Sequence, residues 1–169
     1  MSDEIKEEPV IEKDKGPVVT AAEKEAFFKA MLSDKPYTQV TKLFDGKLSV
    51  KFKTLTMEEN NDILSQITLD QNKGIAKNED SYLSRIAQYR LGVSIESIDN
   101  LPFQKELTAL TVPFNQETGE SYVTERIKLF AAWQVPKLAG VLGAFSSFEQ
   151  KVFRMTNKME DPSFWKAGV

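Results

Sequence analysis

The side chains in this chain that can do acid–base or nucleophilic chemistry are carboxylates, amines, guanidinium groups and tyrosine hydroxyls. Its 169 residues include 25 Asp and Glu and 22 Lys and Arg, but no Cys and no His. Disulfide frameworks, Cys/His zinc sites and iron–sulfur clusters are therefore excluded, and so are imidazole catalysis and Cys or Ser nucleophiles activated by His. An enzyme would need convergent carboxylates, or a lysine of perturbed pKa, in a concave site.

Three carboxylates have a spacing that is compatible with a cation site. Glu58, Glu59 and Asp62 follow Thr56 closely, but a hard cation needs more oxygen ligands than one such cluster supplies. We interpret them as the acidic first turn of a helix, where the positive end of the helix dipole favours negative charge. We expect no metal ion and no cofactor.

Four lysines, Lys42, Lys47, Lys51 and Lys53, form a basic stripe that suggests a phosphate or nucleic-acid contact. Nucleic-acid sites usually interleave such charges with exposed aromatic side chains, and none is interleaved here. We interpret the stripe as the solvated face of a strand, where lysine discourages edge-to-edge pairing. We expect no nucleic-acid partner.

The elements that would carry these side chains predict an α+β fold. Asp45–Gly46 lies between two β-like runs, over 38–44 and 47–55, and in the second run Leu48, Val50 and Phe52 alternate with polar residues. This pattern is typical of a hairpin with one buried face. We therefore predict a β-hairpin, about 38–55, packed on a mainly α-helical body.

Helical periodicity and capping residues predict the rest of the body. Helices are expected over 21–32, from Thr56 onward, and over 79–91, 120–134 and 136–157. Thr56 and Glu59 have the spacing of a capping box, and Gly92 is placed to end the third helix in the left-handed conformation. Gly140 and Gly143 leave part of the last helix without bulky side chains, which allows another helix to approach it closely. We predict a single domain over 21–160.

The N-terminal segment carries the whole net charge of the chain. Residues 1–20 hold six acids and three bases, which gives −3, equal to the net charge of all 169 residues. The segment has too little apolar surface to offset the entropy of ordering. We interpret 1–20 as a flexible acidic arm, either a solubilising leader or an arm that a partner orders, with Val10 and Ile11 as candidate anchors.

The C-terminal segment, 161–169, carries two adjacent aromatic residues on a polar background, Phe164 and Trp165. Either these side chains fold back onto the domain, or they anchor the chain on another protein, since Trp and Phe are frequent in interface hot spots. No signal-peptide core and no apolar stretch of about 20 residues is present, so we expect no membrane association.

Two segments resemble small tail proteins of tailed bacteriophages. The block FFKAMLSDKPYTQVTKLFDGKLSVKFKTLTMEENNDIL, with its helix start at Leu55–Thr56–Met57–Glu58–Glu59, looks like the opening of such proteins. The run from Asp80–Ser81–Tyr82–Leu83 to Arg90–Leu91–Gly92–Val93–Ser94 is similar to one in the baseplate hub family of contractile-tailed phages. The Phe164–Trp165 pair is also similar to the ends of tail-assembly proteins.

The resemblance implies a non-catalytic interaction protein, and it brings no catalytic residues with it. The expected role is a structural baseplate hub component that contacts other tail proteins in the virion. The alternative is a tail assembly chaperone that binds the tape-measure protein in the host cytoplasm. A small carboxylate-dependent enzyme is the second alternative, and self-association into a homo-oligomer stays open.

Overall fold

The computed structural model describes residues 16–102 and 120–163. The elements in chain order are α1 (Ala21–Leu32), β1 (Thr38–Leu43), β2 (Leu48–Lys53), α2 (Met57–Asn72), α3 (Glu79–Ser94), β3 (Ile95–Ile98), β4 (Leu101–Pro102), α4 (Tyr122–Lys128), a 3₁₀ helix (Leu129–Ala132) and α5 (Val135–Asn157). An antiparallel sheet packs on the helices, so the α+β prediction, with its hairpin on a helical body, is confirmed.

The sheet has the strand order β1-β2-β3-β4, and every neighbouring pair is antiparallel. Leu43 pairs with Leu48 at the end of the hairpin, and the Lys47 amide donates to the Phe44 carbonyl at 3.2 Å. Asp45 and Gly46 lie at the centre of this turn with φ of 58° and 79°, the sign that a type I′ turn requires at both positions. Phe44, the residue before this pair, also has a positive φ, of 52°, so the left-handed stretch covers three residues and includes the Asp–Gly pair that the sequence places in the turn.

Four of the helices in the described part of the chain begin with a reciprocal capping box, in which the N-cap side chain accepts from a backbone amide while the third helical residue caps in return. The N-caps are Thr20, Thr56, Asn78 and Ser121. Each box satisfies two amides that the helix itself leaves without partners. Within residues 16–102 and 120–163, no helix is both long enough and apolar enough to cross a membrane.

The end of α3 differs from the prediction. Gly92 does not end this helix in the left-handed conformation: α3 continues to Ser94, and Gly92 is buried inside it. A Cβ at position 92 would lie 3.1 Å from the Ile127 side chain, so the glycine serves a close approach of α4. Arg126 Nη1 donates to the Gly92 and Ile95 carbonyls at 3.3 and 2.9 Å. A side chain of α4 thus supplies hydrogen bonds to two backbone carbonyls at the end of α3.

The expected helix over 120–134 is also shorter than predicted. The α-helical part ends at Lys128, and the chain tightens into the 3₁₀ helix before α5 begins at Val135. The α5 bounds agree closely with the prediction, and Pro136 occupies its first turn. Gly140 allows the close approach that its sequence suggests, because a Cβ there would lie 2.6 Å from Phe44 Cζ, whereas Gly143 faces open space.

Aromatic side chains hold the sheet on α5. Phe52 of β2 lies 5.6 Å from Phe145 and 5.7 Å from Phe148, measured between ring centroids. Tyr37 stacks on Phe148 at 6.0 Å and meets Phe27 of α1 edge-on at 5.7 Å. All five rings are buried. The cluster therefore joins α1, the hairpin and α5 into one core.

The described part of the N-terminal segment, 16–20, contacts the domain. The Pro17 carbonyl accepts a hydrogen bond from Arg154 Nη1 at 3.1 Å, Val19 packs half-buried against the core, and Thr20 caps α1. Residues 1–15, which hold the six acids of the predicted arm, lie outside the described residues.

Substitution of Gly92 tests the packing of α4 on α3. We expect Gly92→Leu to lower the free energy of unfolding by about 1–3 kcal/mol, because the larger side chain overpacks a closed interface. The matched control is Gly143→Ala, in the open part of α5, which should stabilise the protein by about 0.5–1 kcal/mol. Urea unfolding measures both variants, and a Gly92→Leu variant as stable as the parent would contradict this packing.

Candidate functional site

The four residues that the sequence singles out as interface candidates lie outside the described residues. Val10 and Ile11 lie before the first described residue, and Phe164 and Trp165 lie after the last one. Their roles as anchors stay predictions. The remaining candidates for a site are the charged groups and grooves of the described residues.

The acidic turn of α2 is engaged in local contacts. Glu59 accepts from Lys53 Nζ at 2.5 Å and caps Thr56, and Asp62 accepts from the Tyr122 hydroxyl at 2.7 Å. The carboxylates of Glu58, Glu59 and Asp62 therefore do not converge on one point. In the described ranges, no group of three acidic side chains converges so that it could hold a metal ion.

The lysine stripe is divided by ion pairs. Lys51 Nζ lies 2.7 Å from Glu96 on β3, and Lys53 pairs with Glu59, whereas Lys42 and Lys47 are exposed near the hairpin turn. Two of the four positive charges are thus partly neutralised by neighbouring acids. The stripe does not present one continuous basic surface.

A buried carboxylate that the sequence did not single out, Asp70, joins two helices. This residue is 2% exposed, and its Oδ2 accepts from Tyr89 Oη at 2.5 Å and from Arg85 Nε at 3.0 Å. Its Oδ1 accepts from Gln66 Nε2 at 3.2 Å, and Gln66 Oε1 accepts in turn from Ser121 Oγ. The network links α2, α3 and the start of α4.

This network is suited to holding helices together rather than to receiving a substrate. Three donors already occupy the Asp70 carboxylate, so an incoming group would have to displace one of them. Burial, followed by the hydrogen bond to Asp70, raises the pKa of Tyr89, and burial with the Asp62 contact raises the pKa of Tyr122. Both hydroxyls therefore stay protonated donors in the folded protein.

An open groove lies between the start of α2 and one face of α5, and we call it the α2–α5 groove. Its volume is about 680 Å³, and its floor is formed by the buried rings Phe145 and Phe148. Met57 and Phe153 stand at its rim with 75% and 67% of their surface exposed. Its other lining residues are Lys53, Thr54, Leu55, Thr56, Asn60, Arg90, Ser94, Glu149, Val152 and Thr156.

An ion pair between two lining residues of the α2–α5 groove joins α3 to α5. Arg90 Nε and Nη2 donate to Glu149 Oε1 at 2.9 and 2.5 Å, and Nη1 donates to Asn60 Oδ1 at 3.3 Å. The Arg90 and Glu149 side chains are each about one-third exposed, at 36%. Because these polar groups satisfy one another, the groove offers a partner mainly apolar surface with a polar border, the arrangement found in protein interfaces.

Comparisons of the chain with protein-family models, with curated proteins and with solved structures found no match. The fold and this groove therefore define the chain as a small α+β protein with an apolar groove between two helices.

Removal of the Asp70 carboxylate tests whether the network is structural. We expect Asp70→Ala to lower the free energy of unfolding by about 2–4 kcal/mol, because it leaves the Tyr89 hydroxyl and the Arg85 guanidinium without their acceptor. Asp80→Ala, in the exposed first turn of α3, is the matched control and should cost less than about 1 kcal/mol. Equal losses in the two variants would show that Asp70 has no special structural role.

The buried tyrosines predict a loss of stability in alkali. Burial and the nearby charge of Glu23 raise the pKa of Tyr37 from 10 to about 12. A raised pKa in the folded state contributes stability that is present below pH 10 and is lost as the pH rises toward about 12. Thermal unfolding scans should show a falling midpoint in this window and a smaller fall for Tyr37→Phe; identical slopes would contradict the prediction.

Proposed function

We propose that this chain is a non-catalytic interaction protein of bacteriophage tail assembly, and a structural component of the baseplate hub. The observation that carries the proposal is where the resembling segments lie in the fold. The helix start of the first segment contributes Leu55, Thr56 and Met57 to the α2–α5 groove, and the second segment contributes Arg90 and Ser94. Two separate resembling segments therefore border one surface.

The groove suits an amphipathic helix of a neighbouring tail protein. Its α5 side spans positions 145 to 156, which is about 17 Å or three helical turns. The lining residues of α5 recur every three or four positions, so they form a ridge against which the i, i+3 and i+4 anchors of a partner helix can pack. Burial of an exposed apolar side chain such as Met57 or Phe153 contributes about 1.5–3 kcal/mol.

The ion pair at the groove would set the orientation of the partner helix. A carboxylate or amide of the partner that competes for Arg90 has to replace Glu149, so a mismatched partner leaves a charge without its acceptor. Met57 and Phe153 then supply the affinity, since flexible Met and aromatic side chains adapt well at interfaces.

The groove rim provides the test of this proposal. We expect the chain to form a complex with a tail protein that is encoded beside it in the phage genome, when the two are co-expressed. The double variant Met57→Ser/Phe153→Ser should weaken this complex by at least about tenfold, which titration calorimetry measures. Both side chains are largely exposed, so the domain should keep its fold.

Val135→Ser is the matched control, because Val135 is an equally exposed apolar residue on the same helix, about 27 Å along the axis from Phe153. It should leave the affinity unchanged. If no tail protein binds, or if the rim variant binds as well as the parent, the proposal is wrong.

Mass spectrometry of purified particles separates the two tail roles. A hub component is expected in the finished virion, in fixed ratio to the other baseplate proteins. A chain that binds the tape-measure protein during assembly but is missing from the particle would instead be a tail assembly chaperone acting in the host cytoplasm.

A further inference from the structure

The outer edge of β1 is a row of backbone groups without a neighbouring strand in the described part of the chain. β1 stands first in the strand order, and within residues 16–102 and 120–163 it pairs only with β2. Each of its residues has a register partner on that side. An unpaired edge of this length is a template for one more strand, because its amides and carbonyls are ready to form a second ladder.

The contacts of Ser49 on β2 show which groups of β1 face outward. The Ser49 carbonyl accepts from the Asp99 amide at 2.7 Å, and the Ser49 amide donates to Asp99 Oδ1 at 2.9 Å, so both point toward β3. Its register partner Lys42 therefore belongs to a pair that has no hydrogen bond between β1 and β2. Backbone directions alternate along a strand, so every second residue counted back from Lys42 also faces outward. The outward-facing residues of β1 are Thr38, Val40 and Lys42.

β1 carries little of the protection that natural edge strands use, which is proline, a bulge or several charges. Pro36 precedes the strand, and the irregularity of the sheet lies between Lys51 and Phe52, where β2 meets β3. Of the lysine stripe, Lys42 alone lies on β1. The edge is therefore open to pairing.

We propose that β1 of a second copy of this chain pairs with this edge, antiparallel and centred on Val40, and joins the two four-stranded sheets across a two-fold axis. In such a pair, outward-facing residues must meet outward-facing residues. The register centred on Val40 engages all three of them on both strands. Val40 then lies opposite Val40 of the second copy, and Thr38 lies opposite its Lys42.

The charges near the edge fit a second copy in this register. The single lysine of each β1 strand lies opposite a threonine, so like charges do not meet directly. The nearest lysines of β2, Lys51 and Lys53, already pair with Glu96 and Glu59. Val40 is 52% exposed in one copy, and its counterpart in the other copy covers it.

Two exposed apolar residues extend the contact beyond the paired strands. Phe44, which is 48% exposed, follows β1, and Pro36, also exposed, precedes it. Both are equally far from Val40 in opposite directions, so Phe44 of one copy meets Pro36 of the other at each end of the pairing. The dimer thus combines backbone hydrogen bonds with side-chain contacts, as strand addition does in other complexes.

A single introduced cysteine tests the register, because the chain has no cysteine of its own. Under mild oxidation the full chain with Val40→Cys should form a disulfide-linked dimer, since the Cα atoms of such a pair lie about 5.5 Å apart, within the span of a disulfide. Lys42→Cys is the matched control, because its thiol lies about 14 Å from its own counterpart. We expect Val40→Cys to cross-link at least about tenfold faster, because pairing holds its thiols at high effective concentration; equal rates would overturn the register.

Analytical ultracentrifugation of the full chain measures the dimer itself. Val40→Pro removes an outward amide that the sheet of one copy does not use, so the domain should stay folded while the Kd of the dimer rises at least about tenfold. Circular dichroism checks the fold. If the proline unfolds the domain, Val40→Lys takes its place, because it sets two lysines opposite each other. Val40→Thr keeps the amide and is the control, which should dimerise like the parent.

A parent chain that stays monomeric at the highest concentration that remains in solution would overturn the proposal, and so would a dimer that survives the folded edge variant. The groove variant Met57→Ser/Phe153→Ser should dimerise like the parent. Loss of its dimer would overturn the proposal as well, by showing that the copies meet at the α2–α5 groove. These results do not depend on the phage-tail proposal.

Discussion

The packing of Phe52 against Phe145 and Phe148 is the contact on which the rest of this structure depends. It is where the sheet meets α5, and through Tyr37 it extends to α1. Aromatic pairs at these distances add about 0.5–1.5 kcal/mol each beyond the area that they bury. A β-hairpin that buries no face is only marginally stable in water, so the cluster stabilises β1 and β2 by covering their apolar face with α5.

The same rings also shape the α2–α5 groove, since Phe145 and Phe148 are its floor. A core contact and a surface feature thus share two side chains, and the fixed position of the floor follows from the packing behind it. The rim residues Met57 and Phe153 make no comparable contribution to the core, because most of their surface is exposed. The side chains that hold the sheet on α5 are therefore different from the exposed side chains at the rim of the groove.

The helical half relies on polar contacts as well as apolar ones. Asp70 is buried among donors from α2 and α3, and Gln66 connects it to Ser121 at the start of α4. A buried carboxylate is costly unless its partners are complete, so this network favours one arrangement of the three helices over other packings of similar apolar area. Arg126 does the same for the end of α3 through the Gly92 and Ile95 carbonyls.

The sequence alone determined the features that depend on near neighbours along the chain. Asp45–Gly46 specifies its turn, Thr56 and Glu59 form their capping box, and the alternation of Leu48, Val50 and Phe52 marks the buried face of β2, because each signal involves residues at most a few positions apart. The missing Cys and His likewise exclude whole classes of chemistry from composition alone.

Only the tertiary structure decided what depends on residues far apart in the chain. Gly92 has the local signature of a helix end, yet the approach of Ile127 makes it an interior packing position. Asp70 looks like any surface acid until Arg85 and Tyr89 surround it, and Arg90 meets Glu149 across 59 positions. No local pattern encodes such contacts, because they follow from how whole elements pack, and the α2–α5 groove is a product of that packing.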